Sequence, residues 1–167
     1  LQRWLIWQHE NLKIPRPKLT EELSLVEQYV QIEKTRFEEN LQFKIEIEPQ
    51  LTQLSVPRFC LQPLVENSIK HGMRSSPMPL QVGIKAQSNE NGISISVWNS
   101  GSLNPQKPSH LSQQDCGQGL RIIREQLKLH FGASHFFRLY QEAENVVAEL
   151  TLLKPGLSNE AYQNSIS

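Results

Sequence analysis

A chain of 167 residues is the size of one ordinary domain and can bury a single core without disulfide or metal staples. Its 17 basic residues balance 17 acidic ones, which argues against the basic surface of a nucleic-acid binder, so nucleic acid is not an expected partner. Cys60 and Cys116 stand alone, without the spacing of a zinc site or a disulfide framework, and a reduced cytoplasmic setting fits best.

No apolar run approaches the roughly 20 residues that cross a bilayer, and LQRWLIWQHE at the start lacks the pattern of a signal peptide. Leu1 to Glu10 places Trp4, Leu5 and Trp7 among polar residues, which reads as the end of an amphipathic helix before the breaker Ile14-Pro15-Arg16-Pro17. Residues 1–18 are therefore expected to be a remnant helix and linker, cut from a longer protein. Thr20 is the predicted cap of a helix running to about Glu39, with Glu21 and Glu22 in its positive first turn and Leu23, Val26, Val30 and Phe37 at helical spacing. Phe43, Ile45 and Ile47 alternate with Lys44, Glu46 and Glu48, the pattern of a half-buried strand.

Pro57 fits a helix start, and Gly72 is the predicted left-handed terminator of that helix. Leu80, Val82 and Ile84 predict one strand and Ile93, Ile95 and Val97 another, with Asn89 to Gly92 as a hairpin turn. Leu103 to Cys116 is rich in Pro, Ser and Gln and reads as a long mobile loop. A helix from Gly119 to His130 follows, ended by Gly132, and then strands near His135 to Tyr140 and Val146 to Leu153. The tail from Pro155 is expected to be disordered. This order predicts an α+β two-layer sandwich, a mostly antiparallel mixed sheet with helices on one face.

The segment LQPLVENSIKHG, Leu61 to Gly72, puts Gln62, Glu66, Asn67, Lys70 and His71 on one side of a helix and Leu61, Leu64, Val65 and Ile69 on the other. Such a stripe is either an ordinary solvated face or a phosphate and metal site. Mg²⁺ suits the second reading, because it takes one or two protein oxygens beside substrate phosphates, as Asn67 and Glu66 could offer, with Lys70 and His71 on phosphate oxygens. Cys116-Gly117-Gln118-Gly119-Leu120 is a glycine pair opening a helix, which fits a plain junction or a close backbone approach to phosphate. Val97-Trp98-Asn99-Ser100-Gly101 reads on its own as a strand followed by a turn.

Together these strings resemble histidine kinases of the GHKL superfamily, and the LytS-type sensor kinases in particular. LQPLVENSIKHG is similar to their N box, LQPLVENAIKHG, and GLRIIREQLKLHFG is similar to the GLxNxxxRLxxxYG segment beyond their second glycine box. Leu19 to Phe37 resembles LxEELxxVxxYLxIExxRF. The resemblance covers about Leu19 to Leu153 and implies a Bergerat-type ATP-binding catalytic domain, here residues 19–154. It implies that Asn67 binds Mg²⁺, that Lys70 and His71 lie near the nucleotide phosphates, and that Gly117, Gly119 and Leu120 form the phosphate-side loop. Asn99 and Gly101 match the first glycine box, DxGxG. Asn replaces its adenine-binding Asp, and Leu103 replaces its second glycine.

Catalytic roles are thus expected for Glu66, Asn67 and Lys70. In related ATPases the catalytic acid lies one turn before the Asn, where Pro63 stands here, so a hydrolytic ATPase is disfavoured and Glu66 has at least the role of orienting Lys70. The resemblance further implies a phosphoacceptor His in a PHFLFN-like string, and His9, His71, His110, His130 and His135 all lie outside such a string. The expected protein is an ATP- and Mg²⁺-dependent kinase domain acting on dimerisation helices of its parent and, through them, on a response regulator. That parent would be a membrane-anchored homodimer with this domain in the cytoplasm. The alternative is a degenerate nucleotide-sensing or protein-interaction module of the same fold, a reading that Asn99 and Leu103 favour.

Overall fold

The computed structural model describes residues 16–103 and 118–165. Along them run α1 (Leu19–Phe37), β1 (Leu41–Ile47), α2 (Gln62–Ser75), β2 (Leu80–Asn89), β3 (Gly92–Ser100), α3 (Gln118–Phe131), β4 (His135–Glu142), β5 (Asn145–Leu153) and α4 (Asn159–Ser165). The strands form one five-stranded sheet in the order β1-β2-β3-β5-β4. Only β1 and β2 pair in parallel, and such a pair needs a crossover, which α2 supplies. The expected mixed, mostly antiparallel sheet is present.

Side-chain alternation decides what each face does. In β1 the odd positions from Leu41 to Ile47 turn toward the core while Gln42, Lys44 and Glu46 are exposed. Val82, Ile84, Ile95 and Val97 continue that inward row, and Val26, Val30, Leu64, Val65, Ile69, Ile123 and Leu127 meet it from the helices. α1 packs on β1 and α2, α2 on β2, β3 and α3, and α3 on β4. Asn99 is the exception in the inward row, a polar residue only 4% exposed.

Several local expectations are corrected. α2 starts at Gln62 rather than near Pro57, with Pro63 in its first turn, where a missing N–H costs nothing. Phe59 at φ 58° breaks the chain before it. Gly72 does not terminate α2, which runs on to Ser75 and closes with Ser76 N donating to the Gly72 carbonyl at 2.8 Å. The bare Cα of Gly72 instead lets β2 approach, since a Cβ there would overlap the Leu80 side chain. Thr20 is no cap either: α1 begins at Leu19, and the Glu21 carboxylate accepts from Lys18 N at 2.6 Å.

Glu22 is 1% exposed and accepts from Phe59 N at 2.8 Å, so it fixes the strained turn that leads into α2. The tail from Pro155, expected to be disordered, carries α4. That helix lies on the opposite face of the sheet, with buried Tyr162 edge-on to Phe136 at 5.3 Å.

The remnant helix expected over residues 1–10 and most of the mobile loop expected over Leu103 to Cys116 lie outside the described residues. Residues 16–18 are stitched to the domain. Pro17 O accepts from Val56 N at 3.0 Å, and Arg16 Nη2 donates to the His130 carbonyl at 2.8 Å while its guanidinium sits 4.4 Å from the Phe131 ring centre. Burial brings the Arg16 pKa down to about 10. No helix among the described residues is long and apolar enough to cross a membrane.

Candidate functional site

α2 holds four of the predicted site residues, Glu66, Asn67, Lys70 and His71. Leu64, Val65, Ser68, Ile69 and Gly72 are buried, which leaves Glu66, Lys70 and His71 exposed and Asn67 half-buried. At 3.6 residues per turn, Glu66 and Asn67 point about 100° apart. Glu66 stands beside Tyr29 of α1, whose phenol is pushed up to about 12 by burial, then by Glu33 and Glu66. Glu66 therefore occupies the α1 flank of α2, and Asn67 with His71, one turn on, occupies the flank toward α3.

Glu66 does not orient Lys70 as expected. Its Oε1 accepts from Gln62 Nε2 at 2.9 Å, and no Glu66–Lys70 ion pair forms among the described residues. Lys70 is left on the exposed crest between the two flanks, beside the Asn67–His71 row. The arrangement separates a hydrogen-bonded Gln62–Glu66 pair from a polar and cationic edge suited to anionic oxygens.

The end of β3 abuts α2. A Cβ on Gly72 would lie 3.3 Å from Asn99 Nδ2, so the Asn99 carboxamide rests directly on the helix that carries Asn67. Asn99 Nδ2 donates to the Ser100 carbonyl at 2.8 Å, which commits the donor end of the amide and turns its acceptor oxygen the other way. Gly101 takes φ 124°, a backbone that L side chains rarely adopt, and its surroundings are the Ser75 and Ser76 side chains at the end of α2.

Gln141 of β4 grips the chain beyond β3. Its Oε1 accepts from Leu103 N at 2.7 Å, and its Nε2 donates to the Gly101 and Ala143 carbonyls. Ser76, Ser100 and Gln141 were not singled out by the sequence. Single Ser and Gln residues carry no motif, and only the folded register brings them to this corner.

Gly119 lies in the first turn of α3, where backbone N–H groups lack helical partners and suit an anion. Leu120 is 5% exposed and belongs to the core, so it offers a ligand its backbone alone. Gly117 lies outside the described residues. Among the described residues no group of three or more His, Cys, Asp or Glu could hold a metal. A half-buried Asn67 oxygen with a neighbouring cationic edge fits Mg²⁺ that arrives on phosphates, because that ion needs few protein ligands. A shallow concavity of about 520 Å³ lies on the opposite face of the sheet, lined by residues such as Lys44, Lys85, Trp98 and Tyr140. It includes none of the predicted site residues.

No protein-family model matches the chain. Sensor histidine kinase YesM of Bacillus subtilis is 30% identical over 128 residues, covering 75% of this chain and 22% of the relative. Sensor histidine kinase BtsS of Escherichia coli is 34% identical over 125 residues, covering 74% and 21%. Sensor protein LytS of Staphylococcus saprophyticus is 25% identical over 154 residues, covering 88% and 26%. The chain thus spans about a fifth to a quarter of the length of these relatives. In three dimensions the catalytic domain of histidine kinase ThkA, in a nucleotide-free form, matches with TM-score 0.62 at 20% identity, covering 86% of this chain and 98% of that domain. ThkA in complex with the response regulator protein TrrA matches with TM-score 0.57 at 18% identity, covering 89% and 45%. By its sequence relatives the chain belongs to the sensor histidine kinases, and its fold is that of the ThkA catalytic domain.

Proposed function

We propose that the chain binds ATP with Mg²⁺ along the α3 flank of α2 and presents the γ-phosphate to a histidine on dimerisation helices of its parent kinase. The observation that carries this reading is the contact of Asn99 and Gly101 at the end of β3 with the same helix that bears Asn67, Lys70 and His71. Asn99 accepts from the adenine amino group, and Gly101 lets the backbone pass close beside the base. Lys70 and His71 hold phosphate oxygens, and the first turn of α3 at Gly119 offers them its backbone N–H groups. Asn67 would hold Mg²⁺, and the ion would supply charge neutralisation at the phosphates. Phosphoryl transfer asks a protein mainly for positioning and charge stabilisation, and these residues supply both. Glu66, on the α1 flank and engaged by Gln62, supports the helix rather than abstracting a proton.

The physiological recipient beyond the histidine is a response regulator, in keeping with the ThkA complex. The parent is a membrane-anchored homodimer with this domain in the cytoplasm. A second reading, a nucleotide sensor that transfers no phosphate, is favoured by Asn99 and Leu103 where the kinases of the resemblance carry Asp and Gly.

Radiolabelled ATP separates the two readings. The chain alone should take up no acid-labile phosphate, whereas a separate fragment with the acceptor histidine should be labelled slowly, since unlinking the pieces forfeits their effective concentration. Label on the chain alone would contradict an acceptor lying outside it. Unlabelled helices, with ATP demonstrably bound, would favour the sensor.

A further inference from the structure

The corner between α2, β2 and β3 is tied by hydroxyls as well as by packing. Ser100 Oγ accepts from Gln81 N at 3.0 Å and lies 2.8 Å from Ser76 Oγ, while Ser76 Oγ donates to the Pro77 carbonyl at 3.1 Å. Each hydroxyl has one proton, and the Ser76 proton is committed to Pro77, so Ser100 must donate to Ser76. The direction of the whole chain is thereby fixed: Gln81 N–H to Ser100 Oγ–H, to Ser76 Oγ–H, to the Pro77 carbonyl. Bonds aligned in one direction polarise and reinforce one another.

This chain ties the start of β2, the end of β3 and the C-cap of α2 at one point. On one side of Ser100 is Asn99, whose amide donates to the Ser100 carbonyl. On the other is Gly101, seated over Ser75 and Ser76. We infer that Ser100 is a positioning residue for base recognition, acting through Ser76 to hold the Asn99 carboxamide at a fixed angle to α2. The inference rests on the nucleotide reading above and adds that discrimination among bases depends on a hydroxyl that touches no ligand. Without the Ser100 hydroxyl, Gln81 N–H and Ser76 Oγ lose their shared partner, and the side-chain tie from the end of β3 to the C-cap of α2 is cut.

The test compares the chain with Ser100→Ala, Ser100→Thr and Ser76→Ala, measuring the dissociation constants of Mg-ATP and Mg-GTP and the thermal midpoint of each protein. Ser100→Ala should weaken ATP about fivefold to tenfold, the loss of one hydrogen bond's worth of orientation, and lower the ATP-to-GTP preference by a similar factor. Ser100→Thr, which keeps the hydroxyl, should restore both, and Ser76→Ala should show a smaller loss of the same sign. A merely structural role would weaken both nucleotides in parallel, and that result, or unchanged preference in Ser100→Ala, would overturn the proposal. If Ser100→Ala does not fold, an unchanged preference in Ser76→Ala overturns it instead. A wild-type chain that binds no ATP would overturn the nucleotide reading first.

Discussion

At the scale of single residues, the proposed site turns on two asparagines with different proposed duties. Asn67 stands half-exposed on a helix flank, where a carboxamide oxygen can meet a cation without a desolvation penalty. Asn99 is 4% exposed, and burying an amide is costly unless its hydrogen bonds are met. Its Nδ2 is met by the Ser100 carbonyl, and its oxygen is proposed to be met by adenine. Asn99→Asp gives up the Nδ2 bond to the Ser100 carbonyl for either nucleotide, but its charged acceptor should raise the preference for ATP over GTP by on the order of 1 kcal/mol, or about fivefold. GTP, with no amino group at that position, should not gain. An equal change for both nucleotides in a titration would count against an adenine contact at residue 99.

At the scale of elements, the helices and strands were legible because their periodicity is strong, and their ends were less so because ends are set by tertiary contacts. The β2–β3 hairpin was readable from Asn89 to Gly92, and Asn89 Oδ1 does accept from the N–H groups of Asn91 and Gly92. The start of α2 was misread because Pro57 and Pro63 both look like first-turn prolines. Only the Glu22 carboxylate reaching Phe59 N across 37 positions selects the second. α3 ends where Gly132 takes φ 53°, as read, but its last turn is also held by Arg16, a contact between residues 114 apart.

That end of α3 has a pH consequence. Burial lowers the pKa of His135 and, with Arg16 nearby, that of His130, each below the ordinary 6.5. Well above pH 6.5 both are neutral folded and unfolded, and they add nothing to the pH dependence. Below it the unfolded chain takes up protons more readily than the folded one, so stability falls as pH drops. The thermal midpoint should decline between pH 7 and 5.5, and a His130→Gln, His135→Gln double variant should decline less steeply. Equal slopes would refute the assignment.

At the scale of the whole molecule, the two faces of the sheet divide the labour. One carries α1, α2 and α3 and, on α2, the N-box residues Glu66, Asn67, Lys70 and His71. The other is polar, partly covered by α4, and bears the row Lys44, Trp98 and Tyr140. The sequence singled out the helix proposed here to carry the chemistry, because a twelve-residue string is specific. It did not reveal that Glu66 and Asn67 diverge to opposite flanks, since neighbours in a string carry no sign of which helix lies beside each, nor that Ser76, Ser100 and Gln141 assemble the corner. The most direct test of an ATP site on the α2 face is a residue-resolved NMR titration of the chain with Mg-ATP, repeated for Asn67→Ala. The account predicts shifts concentrated at Asn67, His71, Asn99, Gly101 and Gly119, lost in the variant while its spectrum stays folded. No shifts at all, or shifts gathered at Trp98 and Tyr140 on the opposite face, would contradict it.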